Sequence, residues 1–474
     1  MSILSRYRPR YIRSLVYMLQ ASEYDVDEFL AWNLRVSNFG HVEKRKRLLY
    51  TPKAVAISLL AWVFVAVILA LIIVGLLPSS GDMPHAVALW LIIFFPLMLP
   101  YLLGFSVRMM NLVQLPVEAY ALRKAARKLA RYKGFKIAIA GSYGKTSMRE
   151  ILRTVLSEGK KIAAPGGSEN TPLAIARFIE QLKGDEEVLI FELGEYYPDD
   201  VRRLCKLVRP DLGIITGVNE AHLQKFKTLE AAADTIFELA AFVAPGNLYV
   251  NGENQAARLQ SPRGTTEFSR EGAGEWRVVG AGTNIDGTSF VLERGDVRMH
   301  IRSALLGLHH VGPLCAAVHI ALRLGLSPQQ IETDIAQTKP FAHRLERKDD
   351  AAGVITLDDS YNGNPDGVRA VIGFLASIKD HRRWYVTPGL VEMGHRAEAV
   401  HRDIGAQLAR AEIEKTVLIK NSVTPWIEAG LKDARYKGEI LWFDDALVCY
   451  ASLPRMTVSG DVVLLQNDWP DQYA

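Results

Sequence analysis

Residues 137–147 read Ile-Ala-Ile-Ala-Gly-Ser-Tyr-Gly-Lys-Thr-Ser, and the fold of the chain turns on them. The apolar run Ile137–Ala140 predicts a buried strand, Gly141 and Gly144 permit a tight turn, and a helix is expected to begin near Lys145. A turn of this kind aims several backbone N–H groups at one spot. The helix N-terminus adds its dipole there, and the combination holds phosphate. Lys145 can then reach terminal phosphates, while the hydroxyl of Thr146 or Ser147 can ligate Mg²⁺. The loop is a shortened variant of the Walker motif. Five residues before Gly144, where the longer motif has its first glycine, this chain has Ile139. Strand, glycines, Lys-Thr and helix in that order predict a nucleotide site lined by Gly141, Ser142, Tyr143, Gly144, Lys145, Thr146 and Ser147.

Upstream of this loop the chain changes character. Residues 1–53 are polar and basic, with Arg6, Arg8, Arg10 and Arg13 followed by Lys44-Arg45-Lys46-Arg47, and Tyr24 to Leu34 has roughly helical spacing. No short N-terminal signal peptide is expected, because the first long apolar run begins only after residue 53. Ala54–Leu77 and Ala86–Val107 contain no charged residue, and each reaches the roughly 20 residues that a bilayer-spanning helix needs. Pro96 and Pro100 should kink the second run. The connecting loop has Asp82 but no Lys or Arg, whereas both outer flanks are basic, with Arg108, Arg123, Lys124, Arg127, Lys128 and Arg131 following the second run. By the positive-inside rule, residues 54–107 form a transmembrane hairpin that enters the inner (plasma) membrane from the cytoplasm and returns to it. Both termini and the nucleotide site are then cytoplasmic. Residues 108–133 read as a basic linker, helical over Pro116–Arg131, whose Arg/Lys face could rest on anionic lipid headgroups or simply be solvated.

At 474 residues the chain has room for about three domains, and its net charge of +4 names no partner by itself. Cys205, Cys315 and Cys449 are far apart, which fits buried thiols of a reducing compartment rather than disulfides or a metal cluster. A nucleic-acid partner is not expected, since the basic residues concentrate beside the apolar runs, where topology accounts for them.

From Lys136 onward, apolar strands alternate with amphipathic helices, the pattern of a parallel α/β sheet. Val188–Glu192 and Leu212–Thr216 are strands, the first ending in a carboxylate and the second leading into Gly217-Val-Asn-Glu-Ala-His222. Ligands of such sheets collect at the C-terminal ends of strands, so Gly141, Glu192, Asn219 and His222 share one edge, with Glu192 a candidate Mg²⁺ ligand. Asn247–Leu305 is turn-rich and β-like, and a helix runs through Leu314–Leu324. A second, smaller α/β unit follows residue 339, with strands at Val354–Asp358, Trp384–Thr387, Val417–Ile419 and Val462–Leu465 and a helix over Asp366–Ser377. The expected architecture is α/β: a two-helix hairpin, a central P-loop ATPase-like domain over 134–338, and a Rossmann-like C-terminal domain over 339–474.

These residues resemble the Mur ligases, and among them the MurF branch, which adds D-alanyl-D-alanine to the UDP-MurNAc tripeptide in peptidoglycan synthesis. The matching stretches are Gly141–Thr146, Glu192-Leu-Gly194, Asn219-Glu-Ala-His-Leu223, Gly307-Leu-His309, His343-Arg-Leu-Glu346, Asp358-Asp-Ser-Tyr-Asn-Gly-Asn-Pro-Asp366, and Glu392-Met-Gly394 followed by His401. The resemblance implies an ATP- and Mg²⁺-dependent ligase in which a carboxylate becomes an acyl phosphate and an amine then displaces phosphate. It also implies roles for residues. Lys145 would stabilise the transferring phosphoryl group, Thr146, Glu192 and His222 would hold metal, and Arg344 would reach the terminal phosphate. Asp359 would meet the ribose, with Asn219 and His310 also on the nucleotide. Asn170, Thr171, Asn362, Asn364 and Asp366 would lie by the substrates.

The chain also departs from the family's pattern. Ile236 stands where the family has a carbamylated lysine, His310 and Pro313 replace two adenine-contacting asparagines, and Gln466-Asn-Asp468 replaces a terminal Lys-Gly-Ser. The basic segment and hairpin stand where the branch has its UDP-sugar domain. Two alternatives therefore accompany the expectation of a MurF-type ligase. One is the same chemistry on a different, lipid-linked or other cell-envelope carboxylate; the other is a membrane-tethered nucleotide-binding scaffold without catalysis.

Overall fold

The computed structural model describes residues 3–467 apart from 9, 37–38, 40–41, 44–46, 78–81, 168, 220–225, 227, 362 and 392. The chain forms two compact units, one up to Ala119 and one from Tyr120 onward.

The first unit is helical. Helices α1 (Tyr11–Ala21) and α2 (Val26–Arg35, capped by the Asp25 carboxylate) precede two long apolar helices, α3 (Pro52–Gly75) and α4 (Asp82–Ala130). Both α3 and α4 contain stretches long and apolar enough to cross a membrane. Most of α3 is open, with Leu59, Trp62, Val63 and Ile73 each more than half exposed. Ala54, Ile57 and Ala61 of α3 and Leu99, Leu103 and Val107 of α4 are instead buried in one core with Leu15, Met18 and Phe29 of α1 and α2. The sequence led us to expect separate helices over 86–107 and 116–131, but α4 runs unbroken through Pro96, Pro100 and Pro116. A proline deprives the carbonyl four residues earlier of its partner. Here those of Ile92 and Pro96 are supplied from elsewhere. The Tyr7 hydroxyl donates to Ile92 O (3.2 Å) and Ile93 O (3.0 Å), and the Tyr11 hydroxyl donates to Pro96 O (2.8 Å).

The second unit holds two sheets. The larger has ten strands in the order β10-β9-β8-β7-β6-β5-β4-β1-β3-β2. Its strands β1 (Phe135–Ala140), β2 (Ile162–Ala163), β3 (Val188–Glu192), β4 (Leu212–Ile215), β5 (Leu248–Asn251) and β6 (Thr266–Ser269) are parallel neighbours. Strands β7 (Gly272–Ala273), β8 (Trp276–Asn284), β9 (Gly287–Arg294) and β10 (Val297–Ser303) extend it antiparallel, within the stretch the sequence marks as turn-rich and β-like. Alternation along β1 sends Ile137 and Ile139 into one core and Ala138 and Ala140 into another. The first core is closed by α5 (Lys145–Val155), α10 (Val311–Arg323) and α11 (Pro328–Ala336). The second is closed by α6 (Pro172–Gln181), α7 (Asp200–Val208), α8 (Leu229–Phe237), α9 (Gln255–Gln260) and the last turns of α4.

The smaller sheet has six strands, β11 (Glu346–Asp349), β12 (Ile355–Asp359), β13 (Arg383–Thr387), β14 (Lys415–Ile419), β15 (Glu439–Phe443) and β16 (Val462–Gln466), in the order β11-β12-β16-β13-β14-β15. All pairs are parallel except β11–β12. Helices α12 (Pro365–Ser377), α13 (Ala397–Arg410), α14 (Thr424–Asp433) and α15 (Ala446–Met456) cover it. This is a doubly wound layout whose ligand edge lies at the C-terminal ends of the parallel strands.

Candidate functional site

The loop after β1 has the conformation that its glycines imply. Gly141 sits at φ 144°, and a Cβ there would come within 2.2 Å of Thr216 Oγ1, so only glycine fits. Gly144 is left-handed at φ 74° and opens α5. The turn is tied to the end of β4: Ser142 N donates to Gly217 O (2.9 Å), Asn219 N donates to Ser142 Oγ (3.2 Å), and the Thr216 hydroxyl donates to Tyr143 O. The Tyr143 hydroxyl accepts from Asn254 Nδ2 (3.3 Å).

Charge at this edge is balanced internally. Lys145 Nζ donates to Gly141 O (2.5 Å) and pairs with Glu195 Oε1 (2.6 Å), and Glu195 is 4% exposed. Glu192 closes β3 at 2% exposure, with one oxygen on the Arg149 guanidinium (2.8 Å) and the other accepting from the Thr146 hydroxyl (3.2 Å). Burial pushes the Glu192 carboxyl above its usual range, against the pull of Arg149 and Lys145. A helix N-terminus, a lysine, a hydroxyl and a buried carboxylate thus converge where strands β1, β3 and β4 end.

The smaller sheet contributes to the same edge. His343 and Leu345 adopt left-handed φ values of 59° and 49°, a corner that presents Arg344 over the Tyr361 ring, 4.8 Å from its centroid. Arg344 lies close enough to Glu192 and Asp359 that both oppose the lowering of its pKa by burial. Asp359 is itself committed: Oδ1 accepts from Leu345 N (3.0 Å) and Oδ2 from Gln466 Nε2 (2.9 Å). Asn467 likewise bonds the loops, with Gly363 N donating to its Oδ1 (2.9 Å) and its Nδ2 donating to Gly389 O (2.5 Å). Asn364 caps α12 by accepting from Gly367 N (3.0 Å), and Asn219 Nδ2 donates to Asn364 Oδ1 (2.9 Å) and Asp366 Oδ2 (3.4 Å). The asparagine bridge brings the loop after β4 against the Asp358–Asp366 stretch.

Other expected residues have local duties. Thr171 is the N-cap of α6, and Asn170 is buried, with its carbonyl accepting from Gly194 N (3.0 Å). His310 is a buried ring beside His309 and Phe341, held neutral by burial. Ile236 is fully buried in the core, and the nearby Glu238 pairs with Arg202 (3.3 Å). His222, Asn362 and Glu392 lie outside the described residues. His343, Glu346 and Asp358 come together at metal-like spacing. Lys348 occupies that cluster, at 2.6 Å from Asp358 and 3.1 Å from Glu346. Burial would raise the Asp358 carboxyl, but hydrogen bonds from Lys348, Ser360 and His343 outweigh it and hold the pKa at about 2. Arg149, Glu195, Thr216 and Asn254 were not singled out from the sequence. Only the proximity of Arg149 and Glu195 to the loop and to Glu192 could have marked them.

Residues 139–321 match the Mur ligase middle domain, and residues 343–466 match the "Mur ligase, glutamate ligase domain". The chain belongs to the Mur ligase family. Within it, the chain is 30% identical over 296 residues to the UDP-N-acetylmuramoyl-tripeptide–D-alanyl-D-alanine ligase of Mycobacterium bovis, a match covering 60% of this chain and 58% of the relative. MurF of Thermotoga maritima, solved in complex with ADP, superposes with a TM-score of 0.65 at 23% identity, covering 75% of this chain and 81% of that one. MurF of Acinetobacter baumannii gives 0.64 at 21% identity, covering 75% and 78%. These solved structures establish a shared fold.

Proposed function

We propose that the chain is an ATP-dependent amide ligase of the MurF type, joining a D-alanyl-D-alanine-like amine to a muropeptide carboxylate in peptidoglycan precursor synthesis. The observation that carries this reading is the convergence at one edge of Lys145, Thr146 and Glu192 from the larger sheet with Arg344 and the Asn364–Asp366 stretch from the smaller. The donor set fits ATP and Mg²⁺. The glycine turn leads straight into the N-terminus of α5, whose first-turn N–H groups and dipole suit phosphate, and Thr146 with the buried Glu192 offers the hard oxygen ligands that Mg²⁺ prefers. Bound ATP supplies the phosphoryl group that activates a carboxylate, and Mg²⁺ offsets the charge on its phosphates.

The protein's part is positioning and charge. Lys145 exchanges Glu195 for phosphate, Arg344 adds a second cation from the other sheet, and Arg149 orients the Glu192 carboxylate and opposes the rise of its pKa by burial. Asn219 ties the loop after β4 to Asn364 and Asp366, which receive the amine. His222 completes the metal ligands, and Asn170 and Thr171 flank the acyl substrate. His310 and Asp359 face the nucleoside.

The apolar stretches of α3 and α4 anchor the enzyme in the inner membrane, with both termini and the ligase unit cytoplasmic. An anchor in the position of a soluble UDP-sugar domain favours a second version of the reading, in which the muropeptide is lipid-linked. Phosphate release by the full chain in detergent, given ATP and Mg²⁺, tests the proposal. Release should require both the amine and either UDP-MurNAc tripeptide or its lipid-linked counterpart, and should disappear in Lys145→Ala. Binding of ATP without turnover on either acyl substrate would refute it.

A further inference from the structure

The two residues that flank Arg344, His343 and Leu345, are both left-handed. That conformation is disfavoured for any residue with a Cβ, and it persists only where surrounding bonds hold it. Leu345 is held from within: its side chain is buried in the core of the smaller sheet, and its N–H donates to Asp359 Oδ1 (3.0 Å). His343 has no such packing, since its side chain is 53% exposed. Polar contacts hold it instead. Its N–H donates to Glu346 Oε2 (3.2 Å), its carbonyl accepts from Tyr361 N (3.3 Å), and its ring Nδ1 lies 2.8 Å from Asp358 Oδ2. Asp358 is a fixed post for that ring. It is buried, with Lys348 Nζ on one oxygen (2.6 Å) and the Ser360 hydroxyl on the other (2.6 Å). Burial raises its pKa, but the hydrogen bonds it accepts bring it to about 2, so it is a carboxylate at neutral pH. A carboxylate only accepts, so His343 Nδ1 carries the shared proton. Consecutive carboxylates of β12 thus hold the two left-handed residues, one each, and Arg344 stands between them.

We propose that His343 is a positioning residue for Arg344: its ring, latched to Asp358, holds the left-handed corner that presents the guanidinium to the terminal phosphate of the nucleotide. The stacking of the guanidinium on Tyr361 fixes only the far end of a long side chain. The latch fixes the backbone from which that side chain projects, and the bond from Tyr361 N to His343 O ties ring and corner together. A cation oriented before the phosphate arrives loses less freedom when it binds. This inference rests on the ligase reading above, which sets Arg344 against the terminal phosphate, and adds to it the residue that holds Arg344 in place.

The test is calorimetric binding of nucleotide to the full chain in detergent with Mg²⁺, using β,γ-imido ATP and, lacking the terminal phosphate, ADP. His343→Phe keeps a ring without a donor, and His343→Gly adopts a left-handed φ freely but has no ring. His343→Asn keeps an N–H donor and tolerates that φ. His343→Phe and His343→Gly should each weaken binding of the imido analogue about tenfold, the scale of one charge-assisted hydrogen bond. Both should bind ADP as wild type does, which also shows that the site is folded. His343→Asn should bind both nucleotides as wild type does. On an Arg344→Ala background, His343→Phe should change nothing further, because the latch acts through the arginine. Wild-type binding of the analogue by His343→Phe and His343→Gly, or equal weakening for ADP, would overturn the positioning role. So would a loss in His343→Asn as large as in His343→Phe, or a further loss on the Arg344→Ala background. If Arg344→Ala leaves the preference for the analogue over ADP intact, the reading of Arg344 at the terminal phosphate fails and this inference with it. If Arg344→Ala abolishes that preference while His343→Phe and His343→Gly keep it, this inference alone fails.

Discussion

Replacing Arg149 with methionine isolates the electrostatics at the heart of the site. Arg149 and Glu192 have side chains 4% and 2% exposed and meet at 2.8 Å. Arg149 also bonds Glu150 and Gly167 O (2.6 Å), but these partners lie nearer water and can be solvated once the guanidinium is gone. The loss is therefore dominated by Glu192, whose carboxyl, already pushed up by burial, is left with only the Thr146 hydroxyl and the more distant Lys145 and rises further. Breaking a buried pair from one side typically costs about 3–5 kcal/mol. The surviving hydroxyl bond places Arg149→Met near the lower end, roughly 3 kcal/mol. At about 2 °C per kcal/mol for a unit of this size, the melting temperature should fall by about 6 °C. The double variant Arg149→Met/Glu192→Met removes both charges and should recover most of that loss, because an apolar pair of similar volume is close to neutral. Thermal unfolding of the full chain in detergent, followed by circular dichroism without nucleotide, measures both. A single-variant loss below about 1 kcal/mol, or a double variant no better than the single, would refute the assignment of Arg149 as the counter-ion of Glu192.

Lys145→Ala should abolish turnover and also destabilise the nucleotide-free protein, since Glu195 is left buried without its cation. Adding Glu195→Gln should restore the melting temperature but not phosphate release. Tyr11→Phe should lower the stability of the N-terminal helical unit by about 1–3 kcal/mol, because the Pro96 carbonyl then has neither a helical N–H nor a hydroxyl. Faster protease cleavage within residues 10–50 would register it, and wild-type resistance would contradict it. Burial raises the pKa of Asp334 to about 6, while Glu158 N (3.3 Å) bonds only one of its oxygens. The native state therefore holds the proton more tightly than the unfolded chain. The resulting penalty is absent below about pH 4, grows as pH rises, and is complete above about pH 6. Asp334→Asn should consequently be more stable than wild type at pH 8, by on the order of 1–3 kcal/mol, with the gap closing toward pH 4.5 in thermal melts.

The parts of the fold that were legible in the sequence were those with local causes. The Ile137–Ala140 run, its two glycines and Lys145 dictated strand, turn and helix within a dozen residues, and the structure returns β1 and α5 there. The path of α4 was not legible. Pro116 reads as the start of a separate helix, yet α4 continues through it, and the carbonyls that Pro96 and Pro100 leave unpaired are met by a pair of tyrosines some 85 residues earlier in the chain. The same limit explains the site residues that were missed. Arg149 looked like any charged residue in an amphipathic helix until the strand pairing of β1 with β3 set Glu192 beside it. Conversely, Thr171 and Asn364 fall where a ligand contact was expected, yet each also caps a helix. A Thr-Pro or Asn-Pro pair at a helix start has that explanation already in its local sequence.

In the ligase proposed above, the ion pairs at this edge set the terms on which a nucleotide binds. Lys145 pairs with Glu195 and donates to Gly141 O, and Glu192 meets the Arg149 guanidinium and the Thr146 hydroxyl, so the buried charges of this edge stand in opposite-sign pairs. A phosphate chain must then compete with Glu195 for Lys145, which reduces affinity relative to an unpaired lysine but keeps the empty protein folded. Arg344 stands differently. The carboxylates that act on it, Asp359 and Glu192, are each engaged by other donors, and its guanidinium rests on the Tyr361 ring. Charge arriving at the end of the phosphate chain therefore meets one cation that must be released from a carboxylate and one already oriented over an aromatic face. In the proposed reaction, that division supplies one cation from each sheet for the terminal phosphate, the group whose transfer the reaction requires.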